Sequence, residues 1–364
     1  MQSLFSGIYK DKTVLVTGHT GFKGSWLCFW LKQMGAKVVG YSLEAPTNPN
    51  HFELLNLDIT SIKGNIKDLE HLNTVFQTYK PDIVFHLAAQ ALVKYSYENP
   101  IETYETNVMG TLKVFEASRI NNVKAIVNIT SDKAYENREW IWGYRENDPM
   151  GGYDPYSSSK GCADILTNSY RNSFFNIKDY KKTHNTLIAT CRAGNVIGGG
   201  DWAKDRLITD IMISVSIGKK VSIRNPKATR PWQHVLEPLS GYLQIGQKLL
   251  EEKVEFAEAW NFGPSDEGSI TVEEVVQNVK KHWDKIDYEI NKDPNQLHEA
   301  NLLKLDCSKA HILLKWKDVW DSETTFEKTV KWYKAYYENN KVLTSEDLEN
   351  YIKEAVGKNI VWTN

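Results

Sequence analysis

Through the first half of the chain, short unbroken apolar runs alternate with longer stretches whose apolar residues recur at helical spacing: "KTVLVTG", "SWLCFWLKQMG", "AKVVGYSL", "LEHLNTVFQTYK", "PDIVFHLAAQ", "IETYETNVMGTLKVFEASRI" and "VKAIVNITS". Strands that read as continuous Val, Ile and Leu, each followed by a helix, predict a parallel sheet covered on both faces. The expected fold is therefore α/β and doubly wound. The alternation loosens after "TLIATCRAGNVIG" (186–198), where "GGGDWAKDRL" and "RNPKATRPWQHV" read as long loops facing a ligand. A second, smaller lobe is expected from there on. "HVLEPLSGYLQIGQKLLEE" and "AWNFGP" read as one more helix and strand of the first sheet, so the lobes should interleave. The first would comprise 1–194 plus about 231–263 and the second about 195–230 plus 264–364. Neither an internal repeat nor a low-complexity tract is visible.

Composition narrows the class of protein. With 364 residues and 41% hydrophobic content, the chain can bury a sizeable core without covalent staples. Cys28, Cys162, Cys191 and Cys307 lie far apart in apolar or helical contexts, with no CxxC pair. Packed, reduced thiols and a cytoplasmic location are expected, and no metal site. A net charge of −2 provides no basic field for a polyanion, and "KDYKKTH" (178–184) reads as a solvated loop, so nucleic acid is an unexpected partner. No charged-then-apolar leader opens the sequence, and no apolar run approaches the ~20 residues that span a bilayer.

Directly after the first strand, "TGHTGFKGSWL" places Gly18, Gly21 and Gly24 at G-x-x-G-x-x-G spacing before an apolar helix. Such a turn lets the backbone approach a pyrophosphate, whose charge then meets the helix amides. This predicts a Rossmann-type dinucleotide site, with Phe22 in the same loop and His19 and Lys23 within reach of the phosphates. The second strand should end on an acid for the adenosine ribose of NAD; Ser42 stands there instead, with Glu44 as the substitute. "YSLEAPTNPNHF" has no Lys or Arg for the 2′-phosphate of NADP, so NAD is the expected cofactor. Asn65 and Ile66 in "GNIKD" fall where an adenine edge and face would lie.

"YDPYSSSKGCAD" supplies Tyr156 and Lys160 at Y-x-x-x-K spacing, which on a helix puts phenol and ammonium on one face. A nearby ammonium and a cationic nicotinamide both favour phenolate, the general base needed for hydride abstraction from an alcohol. With the glycine turn and a strand ending in Thr130 and Ser131, the combination resembles the extended short-chain dehydrogenase/reductase family. That resemblance implies proton removal by Tyr156, orientation of the nicotinamide ribose by Lys160, and supporting hydrogen bonds from Ser131. It also implies a structural role for Asn107 and places Leu87, Ala88 and Ala89 of "HLAAQ" beside the cofactor.

Asp132 and Lys133, which follow Ser131, are superfluous to a simple dehydrogenase or 4-epimerase. Sugar-nucleotide 4,6-dehydratases need them: C4 oxidation makes the C5 hydrogen acidic, a base removes it, and an acid protonates the departing C6 hydroxyl. Runs such as "VTGHTGFKGSWL", "NPIETYETNVMGT", "NREWIWGYREN", "MGGYDPYSSSKG", "RAGNVIGGGDWAKDRL", "RPWQHVLEPLSGY" and "LKLDCSKA" make the chain similar, over nearly its full length, to the CDP-glucose 4,6-dehydratases. That family has Asp then Lys where the dTDP-glucose enzymes have Asp then Glu. The resemblance implies Asp132 as the acid at C6, Lys133 as base or electrostatic partner at C5, and CDP-glucose as substrate in dideoxy-sugar or O-antigen synthesis. A homodimer or higher homo-oligomer is also implied.

A nucleotide sugar brings two phosphates, for which the candidates are Arg192, Asn195, Lys204, Arg206, Arg230 and His234, with Asn195, Arg206 and Arg230 favoured by the resemblance. Trp202 and Trp232 are candidate sugar or base platforms, and His298 and Glu299 lie towards the nucleotide end. Another nucleotide sugar (a GDP-heptose, a dTDP- or UDP-sugar), a 4-epimerase and a non-catalytic dinucleotide-binding regulator stay open as alternatives.

Overall fold

A computed structural model describes residues 1–223, 225–264, 269–291 and 302–364. Its strands are β1 (Thr13–Thr17), β2 (Lys37–Ser42), β3 (Thr60–Lys63), β4 (Ile83–His86), β5 (Ala125–Ile129), β6 (Leu187–Ala193), β7 (Asn195–Ile197), β8 (Val221–Ile223), β9 (Thr229–His234), β10 (Ala259–Phe262), β11 (Ser269–Thr271) and β12 (Tyr288–Ile290).

Among the described residues, seven strands form one sheet in the order β10-β6-β5-β4-β1-β2-β3, and every pairing in it is parallel. Alternate side chains feed two cores. Val14, Val16, Phe85 and Val127 pack on one face, and Leu15, Val39, Val84 and Ile126 on the other. This double burial is why these strands read as continuous apolar runs rather than as alternating ones. The chain order reverses beside β1, which lies between β2 and β4, and such a switch point opens a crevice at the carboxyl ends of the strands.

The first helix, Phe22–Gln33, buries Trp26, Leu27, Cys28, Phe29, Trp30 and Leu31 in succession. It is apolar all round because the sheet covers one side and the end of the chain the other: Trp30 meets Tyr351 and Trp362 edge-on, and Trp362 stacks on Phe5. The two termini also meet, with the Ser6 amide donating to the Asn364 carbonyl at 2.8 Å.

"AWNFGP" supplies β10, an edge of the large sheet beside β6, and "LEPLSGYLQIGQKLL" is a helix, Leu236–Leu250, as expected. The expected loop "RNPKATRPWQHV" is different. Its second half is β9, the middle of a three-stranded sheet between antiparallel β11 and parallel β7, and β8 pairs with β12 in a separate small sheet. These strands are too short and polar for an alternation to register, and Pro231 disguises one further.

Candidate active site

The turn after β1 is built around Gly18 and Gly24. Gly18 has φ +74°, and a Cβ there would lie 2.8 Å from the backbone of Ala88; one on Gly24 would lie 2.1 Å from the Gly18 carbonyl oxygen. Side chains are thus excluded from the turn by its own backbone and by the strand-end loop beyond β4. It opens onto a cavity of about 1020 Å³ at the switch point. Gly18, Gly21, Phe22, Lys23 and Gly24 line the cavity at this end. Ser42, Asn65 and Ile66 line it farther out, and Leu87, Ala88 and Ala89 form the wall after β4. Ser42 and Thr20 share a hydrogen bond of 2.8 Å, and Glu44 is ion-paired to Lys63.

His19 departs from expectation. Its ring lies beneath the turn against Gly40, shares a 2.8 Å hydrogen bond with Ser61 and meets the Phe52 ring edge-on. The side chain is fully buried away from the cavity, and burial pushes its pKa down to about 4, so it is a neutral packing group rather than a phosphate ligand.

β5 ends at Ile129 and delivers a short turn, Asp132–Ala134, capped by Ser131. The Ser131 hydroxyl donates to Asp132 Oδ1 at 2.9 Å and accepts from the Lys133 amide at 3.2 Å. The helix Pro155–Ser173 starts opposite, with Pro155 in its first turn and Asp154 accepting from the Ser157 amide as the cap. Tyr156 and Lys160 project from it one turn apart. Ser131, Asp132, Lys133, Tyr156 and Lys160 all line the cavity, together with the glycine turn. Asn107 holds this arrangement from behind. Its amide nitrogen donates to the Gln90 carbonyl and Ser159 Oγ, and its oxygen accepts from the Gln90 amide, tying the loop after β4 to the tyrosine helix.

The electrostatics divide the site. Burial raises the Asp132 carboxyl above the usual range, against the pull of Lys133, Ser131 and Lys23, which favours a carboxyl that keeps its proton. Tyr156 is pushed up to about 12 by burial, with the Ser131 hydroxyl acting to lower it. Lys160 is pushed down to about 8 by burial and then by Lys23, and its Nζ donates to the Ile129 carbonyl at 3.4 Å. Ser131 and Arg206 pull the tyrosine down, but burial outweighs them, and a cationic group bound beside the phenol would add to their pull.

Of the substrate candidates, Asn195, Arg206 and Arg230 line the same cavity, and Arg206 is near enough to Lys23 and Tyr156 to act on the charge of both. Arg206 is held by Asp201 at 2.6 Å, a partner the sequence reading did not single out, although it stands five residues earlier in the same loop. Trp202 and Trp232 line the cavity but are largely buried, and Trp202 Nε1 donates to the Tyr337 hydroxyl. Three candidates fall elsewhere. Lys204 is exposed outside the cavity. His234 is fully buried, with its ring edge-on to Trp26 and Trp320, and burial holds it neutral with a pKa of about 3. Arg192 is buried and committed to Asp164 through a two-bond fork. Residue type alone does not reveal burial, which is why His234 and Arg192 resembled ligand groups, nor does it reveal direction, which is why Lys204 did. His298 and Glu299 lie outside the described residues. Among the described residues, no group of three or more His, Cys, Asp and Glu could hold a metal ion, and no helix is long and apolar enough to cross a membrane.

A parallel sheet with a glycine turn at its switch point, and a Ser-Tyr-Lys set at the neighbouring strand end, define an extended short-chain dehydrogenase/reductase. Comparison with known proteins narrows this: the chain belongs to the GDP-mannose 4,6 dehydratase family, whose pattern it matches over residues 15–331. It is 53% identical to CDP-glucose 4,6-dehydratase of Salmonella typhimurium over 349 residues, 94% of this chain and 97% of the relative. Its fold is similar to that of UDP-glucose 4-epimerase from Stenotrophomonas maltophila with bound NAD and formylated UDP-arabinopyranose (TM-score 0.78, 21% identity, covering 90% of this chain and 99% of that one). It is also similar to dTDP-glucose 4,6-dehydratase from Bacillus anthracis in complex with NAD (TM-score 0.72, 23% identity, covering 90% and 97%).

Proposed function

We propose that this protein dehydrates CDP-glucose to CDP-4-keto-6-deoxyglucose with a resident NAD. The observation that carries the reading is the joint placement of Asp132 and Lys133 with Ser131, Tyr156 and Lys160 on one cavity wall, in a chain half identical to a CDP-glucose 4,6-dehydratase.

NAD fits the residues present. The turn of Gly18, Gly21 and Gly24, too tight against its own backbone and Ala88 to admit a Cβ at 18 or 24, offers backbone to a pyrophosphate, and Asn65 and Ile66 offer an edge and a face to adenine. Ser42 and Glu44 stand at the ribose end, with Glu44 neutralising Lys63 rather than leaving it for a 2′-phosphate. When bound, NAD supplies the acceptance of a hydride from C4 and its return to C6, and its cationic ring lowers the Tyr156 pKa that burial has raised.

The remaining chemistry belongs to the chain. Tyr156 takes the proton of the C4 hydroxyl, with Ser131 hydrogen-bonded to the same oxygen and Lys160 stabilising the phenolate. The resulting ketone makes the C5 hydrogen acidic. Lys133 takes that proton, or steadies the enolate charge while another base takes it. Asp132, whose carboxyl burial biases towards the protonated form, gives its proton to the C6 hydroxyl, which leaves as water. With a proton returned to C5, the sugar has lost water and the reaction carries no net redox change. Arg206 and Arg230 would grip the diphosphate and Asn195 the sugar end.

We also infer a cytoplasmic homodimer serving dideoxy-sugar synthesis for a surface polysaccharide. Cys28, Cys191 and Cys307 are free and buried, which suits a reducing compartment. Ile101, Met109 and Ile165 are exposed on helical segments that pack against one another, the kind of apolar surface a partner subunit covers.

Incubation with CDP-glucose deuterated at C4 tests the reaction. The reading requires a keto-deoxy product with deuterium at C6 and no build-up of reduced nicotinamide. A lasting absorbance of reduced cofactor would mean net oxidation, and a 4-epimer would mean an epimerase.

A further inference from the structure

The tripeptide Ser131-Asp132-Lys133 is bracketed by two residues that bond to one buried ion pair. Ahead of it, Thr130 donates its hydroxyl to Asp164 Oδ2 at 2.7 Å. Behind it, the Tyr135 hydroxyl accepts from Arg192 Nη1 at 2.6 Å and donates to Asn261 at 2.8 Å. Arg192 and Asp164 are joined twice, Nε to Oδ2 at 3.0 Å and Nη2 to Oδ1 at 2.7 Å, and their side chains are only 4% and 3% exposed. Arg192 belongs to β6, whereas Asp164 lies one helical turn beyond Lys160. The pair therefore ties three pieces together: both ends of the turn bearing the acid and Lys133, the helix bearing the base, and the sheet.

Stability alone is a poor reason for such a pair, since desolvation offsets most of its Coulombic gain and apolar residues often pack as well. What an apolar substitute would not do is fix a direction. The carboxylate and guanidinium have defined hydrogen-bond vectors, and each ends on a residue flanking the tripeptide.

We propose that Asp164 and Arg192 are positioning residues that hold the Asp132–Lys133 turn in register with Tyr156 and Lys160, so that elimination can follow C4 oxidation without the sugar moving. This rests on the dehydratase reading. It assigns the pair to the elimination half of the reaction: hydride abstraction relies on Tyr156 and Lys160, fixed by the helix, and takes from the turn only the supporting hydrogen bond of Ser131, whereas loss of water needs the turn itself at the right distance from C5 and C6.

The test removes the bracket and spares the ion pair, so that no buried charge is left alone. In holoenzyme carrying Thr130→Val with Tyr135→Phe, the appearance of reduced nicotinamide on mixing with CDP-glucose should stay within about twofold of wild type. C5 proton exchange and product formation should fall about tenfold or more, so that reduced cofactor accumulates during turnover. Arg192→Lys, which keeps the charge and loses the fork, should shift the balance the same way. If the double variant fails to fold, each single variant should show the same partition at smaller size. Proportional loss of both half-reactions, or a lower melting temperature with an unchanged partition, overturns the proposal. A wild type that forms no 6-deoxy product overturns the dehydratase reading and this inference together, whereas a normal wild type beside unpartitioned variants overturns the inference alone.

Discussion

Ser131 donates its hydroxyl to Asp132 at 2.9 Å, and the same single proton is the one that would lower the Tyr156 pKa, so the candidate acid and the candidate base compete for one donor. In each case it favours the ionised form: it lowers the tyrosine pKa, and it lowers the Asp132 pKa that burial has raised. Removing it raises both. The rising limb of the pH–rate profile, set by a tyrosine that must lose its proton, and the falling limb, set by an acid that must keep its own, should therefore both move to higher pH in Ser131→Ala. Steady-state rates across pH check this, and a profile that loses height without moving would show that Ser131 is not coupled to either group.

Lys133 is tested by what replaces it. If it takes the C5 proton, Lys133→Met should slow solvent exchange at C5 by about a hundredfold, while Lys133→Glu, which restores a base, should stay within about tenfold of wild type. Exchange at an undiminished rate in Lys133→Met would leave the lysine only an electrostatic role.

The two fates of basic-looking residues beyond β7 separate in binding. Arg230→Met should raise KM for CDP-glucose by about tenfold or more, the loss of one charged hydrogen bond. His234→Asn should leave KM unchanged and lower stability by about 1–3 kcal/mol, because the ring packs edge-on between Trp26 and Trp320 and touches no part of the cavity. Substrate titration and thermal melting of the two variants distinguish these outcomes.

Glu237 provides a pH dependence remote from the chemistry. Its carboxylate accepts from the amides of Val319 and Trp320 and from the Tyr351 hydroxyl, yet burial outweighs these donors and raises its pKa from 4.5 to about 8. The folded chain thus holds a proton at pH values where the unfolded chain has released it, so stability falls as pH rises through that window. Melting temperature should decline between about pH 5 and pH 8 in wild type, and Glu237→Gln should be less stable at the acid end by about 1–3 kcal/mol while flattening the slope.

The large sheet was legible because burial on both faces writes itself into the sequence as unbroken Val, Ile and Leu, and the glycine turn because its backbone contacts admit no side chain at 18 or 24. Ser131, Asp132, Lys133, Tyr156 and Lys160 could be picked out together from residue type and spacing, and the structure brings all five to one cavity. What escaped was direction. Nothing in "GHTG" tells that His19 turns beneath its loop, and nothing in "CRAGN" tells that Arg192 faces Asp164 rather than a phosphate. The partner in each case comes from a distant segment: Ser61 for the histidine, a helix position for the arginine. The strands of the small sheets were hidden for a different reason, being too short for any period to show.

The anchoring of the tripeptide at both its ends has an evolutionary side. Because Thr130 and Tyr135 set the path of the backbone, the side chain at position 133 works like a tool in a fixed socket: a glutamate or a lysine can be mounted there without re-aiming its neighbours. A scaffold organised in this way can exchange one acid–base pairing for another by a single codon.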